Sequence, residues 1–514
     1  MFVQTSYFRC TLILILSFCY VHSARILGVF QYPSISHQVV FQQIWRELSL
    51  RGHDVVVVTP NPLNDPKLVN LTEIDVGSIK NLISAGDDLQ SSMSKDSPTP
   101  QIMKAFYDTS LVLQDAIFKD KQFNAIYNNS KEKFDLVMVE SHHPGMYSLA
   151  GRFDCPSIGI SSLGVVIPIH GSVGNTNHPV LYPDMNLPVH SNLNVFQKIY
   201  SIYNSIFLNI YYDNWVMKQS DEIARKYLGN DIPYLGDLAN NVSFLLINTN
   251  HIIHTIRPHV PKIIQMGQMH IRKPKPLPTE LKTLLDNAKN GVIYFSLGSN
   301  VKSVNIDKNL QKIFLETMAD LPYTVLWKWE ADALENKPNN VITRKWFPQQ
   351  DLLAHPNVKA FVTQGGLQSI EEAISREVPM VGLPFIGDQP MTLNKLSQAG
   401  VALVHDPVTV TKEELKSSII KVATDPSFRR NIHKAKIELE DQPETGLERA
   451  VWWIEYAIRH KGAPHLKSPT ADVKWWEFIF LDVILVLSLA MFIFLRLAKF
   501  LYNILSFIPK EKQY

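Results

Sequence analysis

Short hydrophobic runs, each stopped by glycine, proline or a polar cluster, recur along most of this chain. The first two are 25–30 and 54–59; an amphipathic stretch starting near His37 and the turn Arg51-Gly52-His53 lie between them. Runs of this length read as buried strands, and a period of 3.6 between them reads as a covering helix, so the segment is a βαβ unit. Residues 134–139 add a strand ending at Glu140, and 156–160 add another. Segments 61–130 and 165–240 are irregular and helix-rich, predicting insertions that shape a pocket rather than the sheet itself. Within the second, 196–215 is unusually rich in Tyr, Ile and Phe. A core helix is expected there, with a membrane surface or an apolar substrate pocket as alternatives.

Past a Pro- and Lys-containing connector at 272–278, the alternation becomes regular. Strands are expected at 291–295, 324–329, 341–343, 361–362, 380–384 and 401–404, with a helix over 307–320 and further helices in the intervals. Such alternation gives parallel sheets covered on both faces. The fold class is therefore α/β: two Rossmann-like doubly wound domains, 24–270 and 279–450, facing a cleft at the carboxyl ends of their strands. Residues 451–474 are read as a return helix and juxtamembrane segment.

The two ends have a different pattern. Arg9 precedes an apolar run at 11–21, and Val21-His22-Ser23 offers small residues for cleavage, so 1–23 is expected to be a secretory signal peptide. Residues 478–495 are apolar except for Asp482 and Ser488, and 477–497 is expected to be one transmembrane helix. Trp475 and Trp476 suit an interfacial belt, and Arg496, Lys499, Lys510 and Lys512 follow, which places the 498–514 tail in the cytosol. Lys510 and Lys512 resemble a dilysine retrieval signal. The expected location is the endoplasmic-reticulum membrane, single-pass type I, with the folded domains lumenal.

Composition adds bounds. With 514 residues, two or more domains are expected, and 46% hydrophobic with 19% charged residues is globular. A net charge of +2 gives no argument for nucleic-acid binding. Of three cysteines, Cys10 and Cys19 lie in the signal segment, leaving Cys155 without an internal partner. N-glycan sequons occur at Asn70, Asn128 and Asn241.

Candidate chemistry concentrates at 361–389. A strand ends in Thr363-Gln364-Gly365-Gly366 and a helix follows at once. Paired glycines let backbone approach a ligand, and a helix N-terminus favours a diphosphate. Ser369 lies about one turn on, and Glu372, on the same face, can accept from two ribose hydroxyls. A second loop, Asp388-Gln389, suits sugar hydroxyls. Trp346, closing a strand before Pro348, offers a platform for a base. In the N-terminal half, His37 stands at a helix start, where the dipole disfavours imidazolium, and Glu140 ends a strand on the same sheet edge. His142 and His143 could compete as bases. The histidines show no metal-ligand spacing, so no metal and no cofactor are expected.

Trp346-x-Pro348-Gln349, Gly365-Gly366-x-x-Ser369-x-x-Glu372, Pro379, Pro384 and Asp388-Gln389 closely resemble the signature of the UDP-glycosyltransferases, in their membrane-bound animal branch that includes the insect enzymes. Phe295-Ser296-Leu297-Gly298-Ser299, Arg459-His460-Lys461-Gly462-Ala463 and the apolar span match as well, so the resemblance covers nearly the whole mature chain. It implies a GT-B fold, an N-terminal acceptor domain and a C-terminal UDP-sugar domain, with the UDP-sugar a co-substrate. Trp346 would stack on uracil; Gln349 and Glu372 would bond base or ribose; Ser296, Gly366 and Ser369 would contact the diphosphate. Asp388 and Gln389 would hold the sugar, with Ser299, Gln364 and Gln368 also in the donor site. The resemblance places a catalytic base at His37 and usually Asp where this chain has Glu140. It usually has His at Gln364, so weaker donor binding without loss of activity is expected.

The expected reaction is inverting transfer of a hexose, glucose in an insect protein, to a hydroxyl of a small lipophilic acceptor, as in detoxification. UDP-glucuronate as donor, a non-catalytic UDP-sugar-binding protein and a nucleotide-sugar hydrolase stay open. So does the oligomeric state, a homo-oligomer included.

Overall fold

The computed structural model describes residues 23–84, 99–187 and 193–507. The expected signal peptide, except Ser23, and the Lys510/Lys512 tail lie outside the described residues.

Seven parallel strands form the first sheet: β1 (Arg25–Val29), β2 (Asp54–Thr59), β3 (Leu71–Asp75), β4 (Leu136–Glu140), β5 (Ser157–Ser161), β6 (Phe244–Ile247) and β7 (Ile263–Gln265), in the order β3-β2-β1-β4-β5-β6-β7. Six form the second: β8 (Val292–Ser296), β9 (Thr324–Lys328), β10 (Val341–Arg344), β11 (Val358–Thr363), β12 (Met380–Gly382) and β13 (Ala402–Val404), in the order β10-β9-β8-β11-β12-β13. The central strands β1, β4, β5 and β8 are buried almost throughout, as strands covered on both faces must be.

Three strands escape the hydrophobic pattern. β3 lies inside a segment expected to be an insertion, yet it pairs in parallel with β2. Only Ile74 of its five residues is buried, so an edge strand with acidic positions gives almost no hydrophobic signal. β6 and β7, of four and three residues, were not expected either, although β6 is an apolar and fully buried run; both follow the long irregular segment rather than a regular alternation. Near the end of the chain, the Gly446–Arg459 helix returns to the first sheet. Its Ala450, Val451, Ile454 and Ala457 join Ile26, Phe41 and Trp45 in one core.

Two expected helices differ from their reading. The Val195–Tyr211 helix is not a core helix: its buried residues are Ser201, Asn204 and Leu208, while its isoleucines face outward. The C-terminal apolar helix runs Leu481–Phe507, not 477–497. It is separated from the Trp475–Phe478 turn by Phe480, which has φ +58°. The apolar pattern resumes beyond Arg496 and Lys499 at Phe500 and Leu501, so both cations lie within the helix rather than after it. Its most apolar 18-residue window has a mean hydropathy of 2.4 and is not buried. Asn70, Asn128 and Asn241 are all exposed.

Candidate functional site

In each sheet, strand order reverses once near the centre, between β1 and β4 and between β8 and β11. Crevices open at the carboxyl ends of strands flanking such a reversal. Both halves of the site sit there.

After β1 the chain turns through Tyr32 and Pro33 and enters the Ile35–Leu50 helix, which puts His37 in its first turn. β4 ends on Glu140. His37 Nδ1 lies 3.2 Å from Glu140 Oε1, and the Tyr32 backbone N–H donates to Oε2 at 2.9 Å. Glu140 is almost fully enclosed, whereas His37 keeps 15% of its side chain exposed. Burial pushes the Glu140 carboxyl up. The His37 hydrogen bond, the electrostatic influence of the His143 and His37 rings and the Tyr32 N–H outweigh it and hold the group below its usual value. An ionised Glu140 draws the imidazole proton to Nδ1 and leaves the Nε2 lone pair free, the arrangement a general base requires.

Neither His142 nor His143 is among the residues that line the cleft with His37, and burial lowers them to about 3 and about 4, which makes both weak bases. His143 Nδ1 is 2.7 Å from Ser110 Oγ, and its ring stacks on Tyr32. His142 Nδ1 is 3.4 Å from Ser161 Oγ.

Across the cleft, β11 runs into Gln364-Gly365-Gly366 and the Leu367–Ser375 helix. Gly365 has φ +87°, and a Cβ there would overlap Leu393. Gly366 is the N-cap, and no side chain caps that helix end. Its first-turn N–H groups therefore face the cleft as donors for an anion. Trp346 is 56% exposed, which leaves an open indole face. Lys328 Nζ lies 5.6 Å from its ring centroid and pairs with Glu330 Oε1 at 2.8 Å. Gln349 Nε2 donates to Ser369 Oγ (2.9 Å) and Glu372 Oε2 (2.7 Å), while the Tyr294 hydroxyl donates to its Oε1 at 3.0 Å.

Gln389 Oε1 accepts from the Phe385 and Ile386 N–H groups at 2.8 and 3.0 Å, which shapes the loop before it. Asp388 Oδ2 and Gln364 Oε1 are buried without partners, and both residues line the cleft. Unsatisfied buried oxygens cost free energy unless a ligand donates to them. Burial pushes the Asp388 carboxyl up to about 6.

All eleven expected donor-site residues (Ser296, Ser299, Trp346, Gln349, Gln364, Gly366, Gln368, Ser369, Glu372, Asp388 and Gln389) line one cleft with His37, and Glu140 is reached through His37. Gln368 differs in its engagement: its Nε2 donates to the Ser162 carbonyl at 2.9 Å, tying the Leu367–Ser375 helix to the first domain. Among the described residues, no group of three or more His, Cys, Asp or Glu is placed to hold a metal ion.

Two features have no local sequence signal. Ser34 Oγ donates to Asn300 Oδ1 at 2.9 Å across the cleft. His270 is buried between two carboxylates, with Nδ1 3.6 Å from Glu371 Oε2 and Nε2 3.5 Å from Glu372 Oε1. Glu371 also accepts from Asn248 Nδ2 (3.2 Å) and the Gln268 N–H (3.0 Å). The Leu367–Ser375 helix is thus fastened to the segments after β6 and β7 by a carboxylate next to the one lining the cleft.

The family model described as "UDP-glucoronosyl and UDP-glucosyl transferase" matches residues 28–514. UDP-glucosyltransferase 2 of Dactylopius coccus is 32% identical over 93% of this chain and 93% of its own length. Human UDP-glucuronosyltransferase 2B7 is 28% identical over 98% of each. Among solved structures, TcCGT1 in complex with UDP superposes with a TM-score of 0.56 at 14% identity, covering 85% of this chain and 100% of its own, a likeness in the GT-B fold. With its two Rossmann-type sheets meeting at one cleft, this chain belongs to the UDP-glucuronosyl and UDP-glucosyl transferase family.

Proposed function

We propose that this UDP-glycosyltransferase moves glucose from UDP-glucose to a hydroxyl of a small lipophilic acceptor, with inversion at the anomeric carbon. Transfer of a glycosyl group from a UDP-sugar follows from family membership. The observation that carries the mechanism is the His37–Glu140 pair at 3.2 Å, facing a donor site across the cleft.

In this reading His37 Nε2 takes the acceptor proton as the acceptor oxygen bonds to the anomeric carbon. The bond from that carbon to the diphosphate oxygen breaks, and UDP leaves. Glu140 stabilises the imidazolium. Charge growing on the leaving diphosphate meets the helix start at Gly366 and the Ser369 hydroxyl. Trp346 carries the base, Glu372 and Gln349 the ribose, and Asp388 and Gln389 the sugar hydroxyls.

Glucose rather than glucuronate is supported by charge. A glucuronate carboxylate calls for a free cation. Lys328 is the one Lys or Arg among the described cleft-lining residues, and it is paired with Glu330 beside Trp346. Asp388 would repel a second carboxylate. The Leu481–Phe507 helix is read as a membrane anchor, with the catalytic domains in the lumen of the endoplasmic reticulum. A donor and acceptor panel with products read by mass spectrometry tests the assignment. A glucoside of a phenolic acceptor is expected; a glucuronide, or UDP released without acceptor, would overturn it.

A further inference from the structure

Asn186 reaches the Gly387-Asp388-Gln389 loop from the first domain. Its Oδ1 lies 4.0 Å from the place a Cβ would take on Gly387, and no other atom beyond the chain neighbours comes as near. Gly387 has φ +62° and precedes Asp388, which lines the cleft with His37. The Nδ2 of Asn186 is 3.4 Å from Met103 Sδ. Met103 and Phe106 stand one turn apart on the Thr99–Phe118 helix, so they share a face. The Phe106 ring lies 5.8 Å from Tyr32, whose ring lies 5.2 Å from His37. The amide therefore stands between the base and the loop to which the sugar is assigned.

A buried carboxylate fixes how that amide points. Asp184 is 2% exposed, and its Oδ2 accepts from the Ile167 N–H at 3.2 Å. Its Oδ1 accepts from both the backbone N–H and the Nδ2 of Asn186, each at 3.1 Å. An accepting oxygen can meet only the NH2 side of an amide, so Nδ2 faces Asp184 and Oδ1 faces Gly387. Among the described residues no donor reaches that Oδ1. The result is a hydrogen-bond acceptor with free lone pairs, held in one direction next to Asp388.

We propose that Asn186 is a sugar-specificity residue supplied by the first domain, its Oδ1 accepting a hydrogen bond from the C6 hydroxyl of UDP-glucose, with Asp184 as the residue that positions it. The proposal rests on reading the donor as UDP-glucose. The ring hydroxyls fall to Asp388 and Gln389, which leaves the C6 group in need of a partner from another element. In glucose that group is a hydroxyl with a proton to donate. In glucuronate it is a carboxylate, an acceptor only, and it would meet the Asn186 oxygen and the Asp388 carboxyl together. In xylose it is missing, and the oriented oxygen stays unpaired. A site built to bond a hydroxyl discriminates against analogues that lack it because its own polar group is then left without a partner.

The test measures kcat/KM of the full-length protein with UDP-glucose, UDP-xylose and UDP-glucuronate on one phenolic acceptor. The wild type should prefer UDP-glucose to UDP-xylose. Asn186→Ala should shrink that preference roughly three- to tenfold, the share of one hydrogen bond, while UDP affinity by calorimetry stays within about twofold. A preference that does not change would overturn the proposal. Equal losses with both donors would overturn it as well, since they would show that Asn186 only supports the neighbouring loop. Use of UDP-glucuronate in place of UDP-glucose by the wild type would remove the donor reading and the proposal together, whereas an unchanged preference in a glucose-using enzyme removes the proposal alone. Should Asn186→Ala lose UDP affinity, Asn186→Leu, which keeps the volume without the oxygen, takes its place with the same outcomes.

Discussion

Glu140 Oε1 meets His37 Nδ1 at 3.2 Å although the two are separated by 103 residues. The contact exists because β1 and β4 are neighbours, so a residue just past the end of one and the last residue of the other share a sheet edge. A glutamate serves here because its second oxygen is fixed by the Tyr32 N–H, which holds the longer side chain in one orientation.

The first prediction concerns that pair. His37→Ala should lower kcat by roughly 10²–10⁴-fold, the usual contribution of a positioned base, and leave UDP binding within about twofold. Glu140→Gln keeps the shape but lacks the charge that draws the proton to Nδ1, so it should also lower kcat with little change in donor KM. Steady-state kinetics with UDP titration calorimetry decide it, and unchanged turnover in His37→Ala would reject the mechanism.

A second prediction follows from Asp388. Burial pushes its carboxyl up to about 6, and its Oδ2 has no protein partner. In the proposed donor site the ionised form would accept from sugar hydroxyls, so donor KM should fall as pH rises from 5 to 7. Asp388→Asn should raise donor KM and flatten that dependence. Because the folded pKa stands above that of an unfolded aspartate, ionisation costs stability: nothing below about 4, and the full amount above about 6. Asp388→Asn should accordingly stabilise the protein at pH 7, on the order of 2–3 kcal/mol, and by nothing at pH 4. Denaturant melts at the two pH values check the sign.

Why these residues could be found in the sequence, and others could not, has a physical basis. Buried parallel strands are written in runs of apolar residues, so β1, β2, β4, β5 and the second sheet were legible, and the residues just past their ends follow from topology. Trp346, Gly366, Glu372 and Asp388 belong to local motifs. The edge strand β3 has one buried residue and left no such trace. His270 and Ser34 act through partners 101 and 266 residues away, pairings that no local pattern encodes. The Val195–Tyr211 helix misled because apolar content alone does not say which face of a helix packs on the core.

Gln364 carries the third prediction. Its Nε2 sits against Gly298 and its Oε1 is unpartnered in the cleft. A neutral amide contributes less to an anion than a charged donor, by about a factor of two in hydrogen-bond strength. Gln364→His should lower donor KM several-fold at pH 6, less so at pH 8 as the imidazole loses its charge, with kcat changed by less than about twofold. A donor KM that does not fall at pH 6 would show that this position does not set donor affinity.

The last prediction concerns His270, held between Glu371 and Glu372. Burial opposes its charge, but the hydrogen bond and charge of Glu372 and the charge of Glu371 raise its pKa above 6.5. Protonated, it separates two carboxylates that would otherwise face each other in a dry interior. His270→Gln leaves them unscreened, and removing one partner from such a buried cluster costs roughly 3–5 kcal/mol. Because the folded pKa is raised, the stabilisation is fully present below about 6.5 and is lost as pH rises through the folded value. The wild type should therefore lose stability in that alkaline range, and His270→Gln should not. Glu372 would also move from the position Gln349 gives it, so UDP affinity should fall on the order of tenfold while the His37-dependent step is spared. Melts across pH 6–9 and UDP titration measure both, and normal UDP affinity in a destabilised variant would show that His270 supports the fold but does not position Glu372.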